Sequence, residues 1–100
     1  MIAPLTIPDC CGHGSYGPPL TEEAVTAAFS HTHRIERLLE ELARRDNGYR
    51  GVFRCRTCGK LWAKDSKQSG QVELEFVYPI ETDEEPESWL ATHPALWPYP

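Results

Sequence analysis

Nowhere does this chain approach the roughly 18 successive apolar residues that a membrane-spanning helix needs. Its N-terminus lacks a basic segment followed by an apolar core, so no secretory leader is expected. No glycine-rich phosphate loop is present, and no Ser-His-Asp or Cys-His arrangement can be picked out. Positive charge is missing from both ends: residues 1–33 and 68–100 contain no lysine or arginine. These absences argue against a membrane protein and offer no support for a phosphate-loop enzyme or a hydrolase triad. With 100 residues there is room for one domain and a thin core, which a metal would help to staple. Four cysteines without a leader favour a reducing compartment, here the cytoplasm, and a metal over disulfides.

The charge that is present is sorted along the chain. All 10 basic residues lie between Arg34 and Lys67, interleaved with only Glu36, Glu40, Glu41, Asp46 and Asp65. The last third is purely acidic, so a basic waist is followed by an acidic tail, and the whole carries −5.

The most informative stretch is Cys55-Arg56-Thr57-Cys58-Gly59, followed closely by Trp62. Two thiols separated by two residues can face one ion from a single tight turn, and Gly59 permits the left-handed backbone that such a turn uses. A structural zinc takes four ligands, so two more are needed. Cys10-Cys11-Gly12-His13-Gly14 supplies candidates. Cys10 and His13, followed by Gly14, repeat the spacing of Cys55 and Cys58 followed by Gly59. The expected ligands of one structural zinc are therefore Cys10, His13, Cys55 and Cys58. Cys11 is either an alternative to Cys10 or a small buried apolar residue. His31 and His33, two apart on a helix, face different directions and read as surface or boundary residues.

With its two knuckles, Cys10-x2-His13-Gly14 and Cys55-x2-Cys58-Gly59, the chain resembles the zinc ribbon superfamily over residues 8–15 and 49–78. That resemblance implies a knuckle seated on a β-hairpin and a bound zinc, and it leaves function open.

Local signals organise the rest. Ile2, Leu5 and Ile7 suggest a short edge strand or extended arm over residues 1–8. Thr21 as N-cap, with Glu22 and Glu23 behind it, opens a helix. Val25, Ala28, Phe29, Ile35, Leu38, Leu39 and Leu42 continue its apolar spacing, which predicts one long helix over 22–46, weakest near Ser30-His31 and closed by Asn47-Gly48. Strands are predicted over 49–55, 60–64 and 71–78, with a polar turn over 65–70. A short helix over 84–92 has Pro86 in its first turn and Trp89 and Leu90 on one side. The expected fold class is α+β: one long helix packed on a small antiparallel zinc-ribbon-like sheet. Residues 1–80 form the zinc-binding domain and 81–100 an acidic, aromatic tail.

Three functions follow from these features. The preferred one is a non-enzymatic module that binds another protein, as an adaptor, immunity protein or inhibitor. Its zinc is structural, and Trp89, Leu96, Trp97 and Tyr99 are either its contact surface or part of the core. Small immunity and inhibitor proteins are an analogy only at the level of size, charge and metal. The second is a nucleic-acid-binding zinc ribbon that uses the basic hairpin, where Tyr49, Phe53 and Trp62 alternate with arginines and lysines. The third is a small metalloenzyme or metal-dependent accessory factor.

Overall fold

The computed structural model describes residues 10–11 and 16–97. The arm over residues 1–8 and the candidate ligand His13 lie outside the described residues. Helix α1 spans Glu22–Ile35, and a 3-10 turn follows at Glu36–Leu38. Strands β1 (Leu39–Arg45), β2 (Arg50–Cys55), β3 (Leu61–Ser69) and β4 (Val72–Ile80) come next, and α2 (Pro86–Thr92) closes the chain. The strands form one antiparallel sheet in the order β1-β2-β3-β4. The α+β class is as expected.

Helix α1 starts as its sequence dictates. The Thr21 side chain accepts the Ala24 N–H at 3.1 Å, a cap that contributes about 1 kcal/mol. Its end corrects the expectation of one helix to residue 46. Residues 39–45 are instead an edge strand paired to β2. Leu39 and Ala43 are both buried and four apart, which mimics a helical stripe. Leu39 belongs to the cluster with Cys55 and Trp62, whereas Ala43 belongs to that with Val52 and Ala63. The two therefore face opposite sides of the sheet. A bulge between Glu41 and Ala43 adds the extra residue that disguises the strand period. Asn47-Gly48, expected to stop a helix, lies in the Asp46–Gly48 turn that connects β1 and β2, with Gly48 at φ +90°.

The second correction concerns residues 65–70, expected as a turn. Strand β3 continues to Ser69, and the reversal comes at Gly70, φ +64°. Asp65 explains this. Its carboxylate is buried and accepts the backbone N–H groups of Ser66 at 2.8 Å and Leu96 at 2.9 Å. A distant segment thus overrides the polar local signal.

Helix α1 lies along the outer edge of β4. The Thr32 hydroxyl accepts the Val77 N–H at 2.8 Å, and the Tyr16 hydroxyl donates to the Val77 carbonyl at 3.0 Å. Edge groups that would otherwise be unpaired are satisfied in this way. One face of the sheet, with Val52, Ala63, Phe76 and Tyr78, packs against Trp89 and Leu90 of α2. The Arg50 guanidinium, nearly buried, reaches the carbonyls of Leu90 and His93 at the end of α2. Trp97 Nε1 donates to the Pro19 carbonyl at 3.0 Å. The C-terminal residues are therefore core and strap as far as Trp97.

Candidate metal centre

Strand β2 delivers Cys55 to the end of the sheet, and the following turn folds back on it. The Cys55 N–H donates to the Lys60 carbonyl and the Gly59 N–H to the Cys55 carbonyl, each at 2.9 Å. Gly59 takes φ +80°, where a side chain would be strained. The turn aims backbone N–H groups at sulfur: those of Thr57 and Cys58, joined by that of Cys11, bond to the Cys55 thiol, and that of Lys60 to the Cys58 thiol. Such donors stabilise thiolates.

Cys10 and Cys11 come in from the N-terminal side. The ligand atoms of Cys10, Cys11, Cys55 and Cys58 all lie within 4.8 Å of one another. Cys11 Sγ is 3.5 Å from Cys58 Sγ and 4.0 Å from Cys10 Sγ. A tetrahedral ion with sulfur at about 2.3 Å separates its ligands by about 3.8 Å, so the cluster has the size of a metal site. No disulfide joins these four cysteines. Four cysteines here can hold a metal ion. Of the expected ligands, Cys10, Cys55 and Cys58 are brought together, and Cys11 stands among them. Although adjacent in sequence, Cys10 and Cys11 turn their thiols into the same cluster.

The remaining support comes from residues that carried no ligand signal. His31 Nε2 lies 3.1 Å from the Cys11 carbonyl, so α1 fixes the backbone at the second of the two N-terminal cysteines. The His31 ring sits 5.7 Å from that of Tyr16 and 5.6 Å from that of Trp62. Cys11, Cys55 and Trp62 are buried, while Cys58 lies at the surface. Nothing in the spacing of His31 points to this role, because its partner is a carbonyl 20 residues away.

The thiols cannot all ionise unaided. Burial alone would raise Cys55, but the bonds from Cys58, Thr57 and Cys11 bring it down to about 6. Cys58 is exposed, yet its sulfur faces the cluster. Desolvation raises it and the Lys60 N–H lowers it. The thiols of Cys10, Cys11 and Cys55 then raise it again, to about 12. A divalent cation would reverse the second case by neutralising the crowded charge.

Comparison with protein-family models, curated proteins and solved structures finds no match.

The basic waist is tied into ion pairs. Arg44 meets Glu41 at 2.8 Å, Arg54 meets Glu40 at 3.4 Å and Lys67 meets Glu22 at 3.2 Å. Lys60 and Lys64 each lie 3.5 Å from a carboxylate, Glu81 and Glu75. Such surface pairs contribute only about 0–1 kcal/mol each, but each sets a negative charge beside the positive one that a phosphate would meet. Among the described residues, no helix is long and apolar enough to cross a membrane.

Proposed function

We propose that the cysteine cluster holds one structural zinc ion and that the protein is a non-enzymatic module whose partner is another protein. The observation that carries the metal reading is the set of four sulfurs within 4.8 Å, fed by backbone N–H donors. An all-thiolate tetrahedral set suits zinc, and four protein ligands leave no position for a reactive water. Cys10, Cys11, Cys55 and Cys58 form the ligand set. Substitution of His13 for one of the N-terminal pair is the competing arrangement, in keeping with the zinc-ribbon resemblance. The ion joins the Cys10-Cys11 pair to the end of the hairpin, and its binding free energy is folding free energy. Protein binding is favoured over nucleic acid by the net charge of −5 and by the ion pairs that occupy the basic hairpin.

Elemental analysis of the purified chain is expected to give one zinc per molecule. A cobalt-substituted spectrum should show an all-thiolate site that His13→Ala leaves unchanged. No metal, or a spectrum altered by His13→Ala, would remove the four-cysteine assignment. For the partner, affinity capture from the cells that make the protein should retain a protein after nuclease treatment. Salt-sensitive binding to DNA or RNA that Arg54→Ala and Arg56→Ala abolish would instead establish the nucleic-acid function.

A further inference from the structure

The sheet is covered unequally. One face is closed by α2 together with Val25 and Ala28 of α1, whereas the other is closed near the cysteines, by Cys11, Tyr16 and Ile35. Beyond them a groove of about 360 Å³ opens between α1 and the strands. Phe53 forms its floor, with its ring lying over Gly51. A Cβ at Gly51 would sit 3.1 Å from that ring and 2.8 Å from the Ala43 carbonyl, so the flat floor depends on glycine. Phe29 forms the wall, edge-on to His33 with ring centres 4.5 Å apart. The lining carries three carboxylates, Glu36, Glu73 and Glu75, against one ammonium, Lys64. That ammonium is already engaged, at 2.9 Å from the Gly48 carbonyl and 3.5 Å from Glu75.

We propose that this groove receives a basic, apolar segment of the partner protein, with a large apolar side chain against Phe53 and Phe29 and a lysine or arginine between Glu36 and Glu75. This rests on the protein-binding reading and gives it a place. Aromatic faces beside an excess of carboxylates over ammonium groups attract a cation attached to an apolar stem. The volume lies near the lower limit of ligand pockets, so it admits one or two side chains rather than a whole helix. The same carboxylates would repel a phosphate backbone and steer a basic partner inward.

The test uses the zinc-loaded full chain, labelled with nitrogen-15. It is titrated with a hexapeptide alternating lysine with leucine and phenylalanine, and with its glutamate counterpart. The lysine peptide is expected to shift the amide signals of Phe29, His33, Phe53, Lys64 and Val77, and the glutamate peptide none of them. Glu36→Lys and Glu75→Lys should each weaken the lysine peptide several-fold, and together at least tenfold, with zinc content and melting temperature unchanged. Equal binding of both peptides, shifts confined to α2 or the cysteine turn, or double-variant affinity equal to that of the parent would overturn the proposal. So would a dimer that closes the groove with a second copy. If no peptide enters the groove while a nuclease-resistant partner is still captured, the groove assignment falls and the protein-binding reading stands. If capture also yields nothing, both fall.

Discussion

The two ends of the sheet are fastened by opposite chemistry. At one end, four soft sulfur atoms meet at a point and backbone N–H groups stabilise their charge. At the other, two hard charged side chains, Arg50 and Asp65, reach out of the strands to grip backbone groups of the C-terminal segment. The first fastening can hold an ion and joins residues 47 apart in sequence, Cys11 and Cys58. The second needs none and spans the separations Asp65 to Leu96 and Arg50 to Leu90. A thin sheet that cannot bury enough apolar surface by itself is closed both ways.

Removing the metal should have the largest effect. Chelation, or Cys55→Ser, is expected to cost on the order of 10 kcal/mol and to unfold the hairpin. Near-UV circular dichroism with and without chelator measures it, and a chelated protein that keeps its signal would show that the ion is peripheral. Trp89→Ala attacks the opposite fastening. It empties a site only 5% exposed and should cost roughly 3–5 kcal/mol in a denaturant titration, with zinc still bound. Asp65→Ala is next. It leaves the Leu96 N–H without its carboxylate and should cost about 2–3 kcal/mol, with faster hydrogen exchange at Leu96.

The smallest effect is set by pH. Burial pushes Tyr78 up to about 12, helped by Asp65 and opposed by Arg50, and burial together with the Cys11 charge pushes Tyr16 up to about 12. Both start from 10.0, so below that pH folded and unfolded chains alike keep the phenol protons and stability is intact. As pH climbs from 10.0 toward about 12 the unfolded chain ionises first and stability is lost. Tyr16→Phe should lower stability by about 1 kcal/mol at neutral pH, through the lost bond to Val77, and should make the alkaline fall shallower. An unchanged alkaline slope in that variant would show that Tyr16 does not carry it.

The features legible in the sequence are those whose cause is local. The Cys55–Cys58 turn, the hairpin around it, the Thr21 cap and the Pro86 helix start each depend on residues a few places apart. Residues 39–45 misled because Leu, Glu, Ala and Arg all favour helices, while pairing with β2 decided the outcome. Asp46-Asn47-Gly48 carried a usable warning, since Asn-Gly marks hairpins as well as helix ends. The convergence of Cys11 with Cys10, the His31 bond and the burial of Asp65 depend on segments that meet only in the folded chain. No spacing rule reports them.

The bulge in β1 also bears on the open edge of the sheet. A four-stranded ribbon has two ends at which another molecule can add a strand. Helix α1 covers the β4 end. At the β1 end the extra residue between Glu41 and Ala43 breaks the even ladder, and Arg44 and Arg45 lie exposed beside it. An incoming strand would be in register with only half of β1 and would meet like charge from its own copy. The kink that hid this strand among helical residues thus makes β1 a poor template for a further strand.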